Sequence, residues 1–301
     1  VVTSDQKAAF ADLYETPYFF SAAVIAGQAQ GELFAGSEPF RFELIELEKI
    51  YRQSDRDFID ILNGVRTNTV TPEQLELLNR RHDPAFAPGA ADFWIHLTTT
   101  NATAARINEE RLALLKTKAR AFSAEVSGKV DKKSYPTDEV LSVKPGAQIM
   151  MINNDPRGRW VNGTIGQVED IKKDADTGLT AVVVKFLDGT VEQVYPHTWD
   201  IYEWKYQRGD GVVADVVGSF TQYPFRLAWA VTIHKSQGKT FDRAIVDVER
   251  GTFASGQMYV ALSRCRSLEV RRRRAARGVV PLFVCASLPW RCSRSGSVRI
   301  F

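Results

Sequence analysis

The stretch from Ala228 to Arg266 constrains the fold most. It holds two dense polar blocks, Thr232-Ile233-His234-Lys235-Ser236-Gln237-Gly238-Lys239-Thr240 and Gln257-Met258-Tyr259-Val260-Ala261-Leu262-Ser263-Arg264-Cys265-Arg266. Between them, Ala244-Ile245-Val246-Asp247-Val248 is apolar and β-branched and reads as a short buried strand. Gly251 and Gly256 bracket a turn, Ser255 reads as an N-cap, and Gln257 to Cys265 continues as a helix. Strand, polar loop, strand, loop and a helix ending in arginines predict an α/β unit on a parallel sheet, with the site in loops at the strand ends. Gly238-Lys239-Thr240 invites a phosphate-loop reading that fails. Such a loop needs a glycine five residues before the second one, and that position is Ile233.

The 301 residues suffice for two domains, or for one domain with a large insertion. No apolar run reaches the ~18 residues that span a membrane, and the start lacks the basic and apolar segments of a signal peptide. The first residue is Val, which leads us to expect a fragment or trimmed chain. Cys265, Cys285 and Cys292 show no paired spacing and no neighbouring histidines, so no structural zinc is expected. That sparse, odd count suits a reducing compartment, and we expect a cytoplasmic, bacterial-type or otherwise intracellular protein without membrane contact. The formal net charge of +3 misleads, because residues 270–301 hold eight arginines and no acid, which leaves −5 for the rest. Contact with nucleic acid therefore calls for a local groove rather than a basic face.

Along the chain, Ser4 to Tyr14 reads as a short helix and Tyr18-Phe19-Phe20 as inward packing. Phe40 to Arg66 reads as strand then helix, with Phe58, Ile59, Ile61 and Leu62 spaced for one helix face. Thr71-Pro72-Glu73 starts a helix. Phe93 to Thr98 is a strand, and Thr100-Asn101 opens a helix through Lys118 with Ala105, Leu112 and Leu115 inward. Ala121 to Val140 reads as a connector with weak strands. Short β-branched runs follow at Gln148–Asn153, Thr164–Ile171, Ala181–Leu187 and Thr190–Tyr195, with glycine turns between them. Spacing near ten residues predicts a small antiparallel barrel, and Gly209 to Phe225 a hairpin leading back.

The two polar blocks resemble motifs V and VI of superfamily 1 DNA helicases of the RecD-like, Pif-type branch, in TIHKSQGKTFD and YVALSRCRS. IYRQSDRDFIDILNGVR resembles motif IV of that family, and LTTTNATAARINEERL the opening of its second RecA-like domain. GAQIMMINNDPRGRWVNGTIGQV resembles the entry to its SH3-like insertion. The resemblance implies an α/β, RecA-like P-loop NTPase fold of the second motor domain, carrying a small SH3-like β-barrel. Residues 1–90 would hold the tail of the first RecA-like domain and the connection with motif IV. Residues 91–125 and 207–269 would form the second motor domain, and 126–206 the barrel. The P-loop, the acidic magnesium motif and motif III would precede Val1. After Glu269 the resemblance stops, and residues 270–301 are expected to be an aberrant, disordered basic tail. A reading-frame change near codon 270 and a real nucleic-acid-binding arm are the two readings of it.

The family implies the C-terminal motor half of an ATP-dependent helicase that moves 5′→3′ on single-stranded DNA and unwinds duplex. ATP with Mg2+ would be held mostly by the missing N-terminal domain, so this chain alone is expected to be inactive. The rival reading is an ATPase-inactive paralogue that binds single-stranded DNA or a partner. Arg264 would be the arginine finger and Arg52 a second cation on the γ-phosphate; by itself Arg52 reads more simply as a surface arginine at a strand end, and the flanking match reverses that preference. Gln237, Gly238 and Gln53 would line the ATP cleft. Thr232, His234, Lys235 and Ser236 would touch DNA phosphates and sugars. Asn101, at a helix N-terminus, would join them or serve only as an N-cap. Trp160, Trp199 and Trp204 would stack on bases, at ~1–3 kcal/mol each, or pack the barrel, which is the simpler reading. No protein metal site is expected, since Asn153-Asn154-Asp155 lacks the spacing and charge of one. Single-stranded DNA and forks are the expected partners of a monomer in repair or recombination.

Overall fold

The computed structural model describes Ile45 and residues 51–53, 55–83, 85–89, 92–128, 130–175, 177–207, 211–247, 256–266, 268 and 282–285, without the side chains of 204–207, 211–212 and 282–285. The readings at Ser4–Tyr14, Tyr18–Phe20, Phe40–Leu44, Ser255 and the Trp204 side chain lie outside these residues. The described residues from Tyr51 onward belong to one compact unit.

Helix α1 (Arg56–Thr67) is capped by Asp55, whose carboxylate accepts from Phe58 N, and it ends where Asn68 turns left-handed at φ 58°. Phe58, Ile61 and Leu62 are buried at the helical spacing that the sequence shows. Helix α2 (Pro72–Asn79) opens on a capping box between Thr71 and Gln74, with Pro72 in its first turn. Strand β1 (Ile95–Thr98) leads into α3 (Asn101–Leu114), capped by the Thr100 hydroxyl on Thr103 N. This helix stops four residues before the predicted Lys118. Ala104, not the exposed Ala105, is its buried alanine, with Ile107 and Leu112 beside it.

Strands β2 (Arg120–Ser123), β3 (Glu125–Gly128), β4 (Val140–Val143), β5 (Gln148–Met151), β6 (Ile165–Lys173), β7 (Thr180–Phe186) and β8 (Val191–Val194) follow. Next come β9 (His197–Gln207), β10 (Gly211–Gln222), β11 (Phe225–Leu227), β12 (Ala230–Thr232), β13 (Arg243–Asp247), the short helix α4 (Gln257–Leu262) and β14 (Leu282–Cys285).

The parallel sheet has the order β12-β1-β13-β14. Ile95, Leu97, Val231, Ala244 and Val246 pack with residues of α1 and α4 in one core, while α3 lies against β1 and β12. Near-continuous burial along the central strands is what a parallel sheet covered by helices requires. At the β12 edge, the Asn108 amide of α3 donates to Ala230 O and accepts from Ala230 N, both at 2.9 Å. The side chain thus occupies hydrogen-bonding positions that another strand would take. Of the 270–301 segment, expected as a tail without a fold, the described residues are 282–285, which form β14. Its apolar Leu-Phe-Val-Cys pairs in parallel with β13.

The second sheet is antiparallel, β11-β5-β6-β7-β8, with the four expected β-branched runs in it. Its last partner, β11, comes from beyond the expected barrel limit of 206. The hairpin predicted over 209–225 is longer, since β9 from His197 pairs with β10, which also carries β3. β5 is buried along its whole length. Ile149 and Met151 face the core with Trp160, Val168, Val184 and Phe225, whereas Met150 joins the core of the parallel sheet. Gln148 ties the two parts together, donating at 2.9 Å to Trp94 O and 2.8 Å to Ala228 O.

Candidate functional site

The loop after β12 is a tight polar turn. His234–Ser236 forms a single 3-10 turn, Gly238 takes φ 76°, and Lys239 N donates to Ser236 O at 3.1 Å. Only a glycine adopts that φ at little cost. Ser236 is fully buried, and its hydroxyl donates to Ile233 O at 2.6 Å. Its side chain therefore shapes the turn. Thr232 is also buried and accepts from Lys235 N at 3.4 Å. His234, Lys235, Gln237 and Gly238 stand exposed on the loop surface.

Motif VI folds back against this loop. α4 starts at Gln257 as expected, with Gly256, left-handed at φ 77°, at its N-cap position, and it stops at Leu262 instead of Cys265. A tight turn follows, and Phe241 N donates to Arg264 O at 2.9 Å. Arg264 is 8% exposed. Its guanidinium donates to Val260 O at 2.8 Å, Ser263 Oγ at 2.8 Å and Lys239 O at 3.3 Å. Arg52 comes from the chain before α1, and its Nε reaches Thr240 Oγ1 at 3.0 Å while NH1 donates to Ser263 O at 3.3 Å. Motifs IV, V and VI thus converge on the Lys239-Thr240 and Ser263-Arg264 segments.

The electrostatics of this meeting point are unusual. Both arginines bind only neutral oxygens, with no carboxylate partner among the described residues. Burial, then the nearby Arg52 charge, pushes the Arg264 pKa down. Two like charges held together without an acid are unfavourable unless an anion joins them.

Gln53, expected to line the ATP cleft, is held on the backbone of motif VI. It is 6% exposed, and its amide donates to Ser263 O at 3.0 Å and Cys265 O at 2.8 Å. It braces the motif VI turn from below. The sequence reading met Lys239 and Thr240 only in the rejected phosphate-loop pattern and did not single out Ser263, although all three lie inside the quoted motifs.

A separate groove of about 430 Å3 runs between the N-terminal half of α3, β12 and β11. Asn101, Asn108, Thr232, Lys235, Arg226 and Asp138 line it, so three of the five residues expected to face DNA share one cleft. Burial and the Arg226 charge lower the Lys235 pKa, while Asp138 acts the other way. Arg226 donates to Pro136 O, and its buried Nε has no partner among the described residues. Trp160 is buried in the meander core with Nε1 on Asn153 Oδ1 at 3.0 Å, which supports the packing reading. Trp199 is half-buried edge-on to His197. No group of side chains suited to a metal ion occurs among the described residues, and none of their helices is long and apolar enough to cross a membrane.

No family model matches the chain. The ATP-dependent DNA helicase Pif1 of Bdellovibrio bacteriovorus is 35% identical over 234 residues, which cover 75% of this chain and 48% of that protein. Human PIF1, also an ATP-dependent DNA helicase, is 34% identical over 231 residues, covering 75% and 34%. The crystal structure of Bacteroides sp. Pif1 in complex with ADP-AlF4 aligns with a TM-score of 0.70 at 31% identity, over 95% of this chain and 58% of that one. Bacteroides Pif1 bound to single-stranded DNA aligns at 0.61 and 30%, over 95% and 59%. The chain spans about half or less of the curated relatives it matches. Its parallel sheet belongs to the RecA-like α/β fold of these neighbours. Over three quarters of its length, this chain is a homologue of the Pif1-type DNA helicases of superfamily 1.

Proposed function

We propose that this chain is the C-terminal motor portion of an ATP-dependent DNA helicase that moves 5′→3′ along single-stranded DNA. The observation that carries it is the acid-free pairing of Arg264 with Arg52 at the junction of three motifs. Such a pair suits a polyphosphate, whose charge it neutralises without a proton transfer. ATP, when bound, supplies the phosphoryl group that is cleaved, with Mg2+ held by a preceding domain. Arg264 and Arg52 approach its outer phosphate from this side. Gln53 holds the turn that carries Arg264. Gln237 and Gly238, on the same loop as Lys239, border the cleft.

The groove beneath Lys235 is the proposed track for the DNA backbone. Asn101, Lys235 and the exposed His234 offer donors to phosphates and sugars, which makes binding sequence-tolerant. The β5–β8 meander corresponds in this reading to an SH3-like insertion. A second reading, a DNA-binding module without ATPase activity, is favoured by one observation: the groove is complete without any residue of the arginine pair.

DNA-stimulated ATP hydrolysis by the full-length protein separates the two. Under the motor reading, Arg264→Ala lowers kcat at least about 100-fold and leaves single-strand binding intact. Under the module reading, the wild-type protein binds DNA but shows no DNA-stimulated hydrolysis.

A further inference from the structure

Lys239 connects the arginine pair to a part of the molecule that no motif covers. Its main chain and its side chain point to different partners. The carbonyl accepts from Arg264, and the neighbouring Thr240 hydroxyl accepts from Arg52. The side chain leaves this cluster and donates through Nζ to Asn162 Oδ1 at 2.6 Å. Its methylenes lie over Gly163, where an added Cβ would stand 3.1 Å from both Cγ and Cδ of Lys239. Gly163 also has φ 101°, so this contact and the backbone both select glycine.

The loop that receives Lys239 is rigidly built. Asp155 is buried, and its carboxylate accepts from the backbone N of Arg157 and Arg159 at 3.0 and 3.2 Å. It also accepts from Arg159 Nε and NH2 at 3.0 and 2.7 Å. Arg159 reaches on to Gln193 O at 3.2 Å, which fastens the loop to β8 and the turn beyond it. Asn162 N donates to Asn154 Oδ1 at 2.8 Å, and Gly163 N to Met151 O at 2.8 Å at the end of β5. Among the described residues, the hydrogen bonds of this network reach the segment that holds the arginine pair at Lys239.

We propose that Lys239 is a positioning residue, which sets the arginine pair against the 153–163 loop of the meander through its bond to Asn162. This rests on the reading of Arg264 and Arg52 as the phosphate-facing pair. Lys239 finds no carboxylate among the described residues, and its charge lies near the Arg226 cation. A lysine held to a neutral amide beside another cation contributes placement more than ion-pair energy. Displacement of the loop moves the Lys239 backbone, and with it the acceptor that orients Arg264. The loop therefore has a direct mechanical line to the nucleotide cleft.

The test is DNA-stimulated ATP hydrolysis by the full-length protein, read as kcat and KM for ATP, with unfolding midpoints measured alongside. Asn162 is exposed, so Asn162→Ala should keep the fold. We expect Asn162→Ala and Lys239→Met each to lower kcat about 5-fold or more, with KM for ATP within about 2-fold. The double variant should fall no further than the worse single one, because one bond is removed either way. Asn162→Asp, which keeps an acceptor on Lys239, should retain wild-type kcat. An unchanged kcat in Asn162→Ala, or a double variant whose loss equals the product of the single losses, overturns the proposal. If Arg264→Ala itself keeps wild-type kcat, the phosphate reading fails, and the positioning role falls with it.

Discussion

At the residue scale, hydrogen-bond partners decide what each polar side chain does. Ser236 and Gln53 were expected at DNA and ATP because they stand in motifs; in the structure both are buried and donate to backbone carbonyls. Sequence alone could not show this, since a short hydroxyl and an amide serve turns as well as ligands. His96 is a sharper case. It lies in β1, and burial, then the Arg111 charge, pushes its pKa down to about 4, with Asp247 opposing. Its Nε2 has no partner among the described residues. The unfolded chain binds the proton near pH 6.5 and the folded one only near 4, so unfolding gains ground as pH falls between those values. We predict a loss of up to about 3 kcal/mol across that window, levelling below it. Denaturant titrations at several pH values should show His96→Phe with a shallower slope there; an equal slope would show that His96 titrates normally.

At the element scale, local signals were legible where they are local. Thr71-Pro72 opens a helix as read, whereas the N-cap of α3 is Thr100 and Asn101 is its first residue. Phe58, Ile61 and Leu62 share the buried face, while Ile59 of the same expected run is only half-buried. The β-branched runs became strands in their expected places. What was not legible is long-range pairing. β11 belongs to the meander and β14 to the parallel sheet, and neither three- nor four-residue run states its partner. α3 ends early because Leu115 turns extended, and its inward face is set by Ala104 rather than Ala105. Gln148 is the clearest link between elements, since one amide serves the carbonyls of Trp94 and Ala228. Gln148→Leu leaves two buried carbonyls without that donor, and we predict a loss of about 2–4 kcal/mol in urea unfolding. A loss below about 0.5 kcal/mol would mean that the two parts are joined by apolar packing alone.

At the scale of the whole molecule, an antiparallel meander packs on a parallel sheet through β5, whose Met150 lies in the core of the parallel sheet, and the polar loop after β12 meets the 153–163 loop of the meander. Motifs far apart in sequence are brought together there, as Arg52 and Ser263 show across 211 positions. The motif stretches made the arginine site legible; the brace from Lys239 to Asn162 was not, because neither residue alone carries a signal. The central claim is that the arginine pair stabilises charge developing on a transferred phosphoryl group. The most direct measurement is the affinity of the full-length protein, with single-stranded DNA present, for ADP and for ADP with aluminium fluoride. We predict that the wild-type protein binds the fluoride complex much more tightly than ADP, and that Arg264→Ala loses about 100-fold or more of that preference with ADP affinity little changed. An Arg264→Ala protein that keeps the full preference would contradict the account.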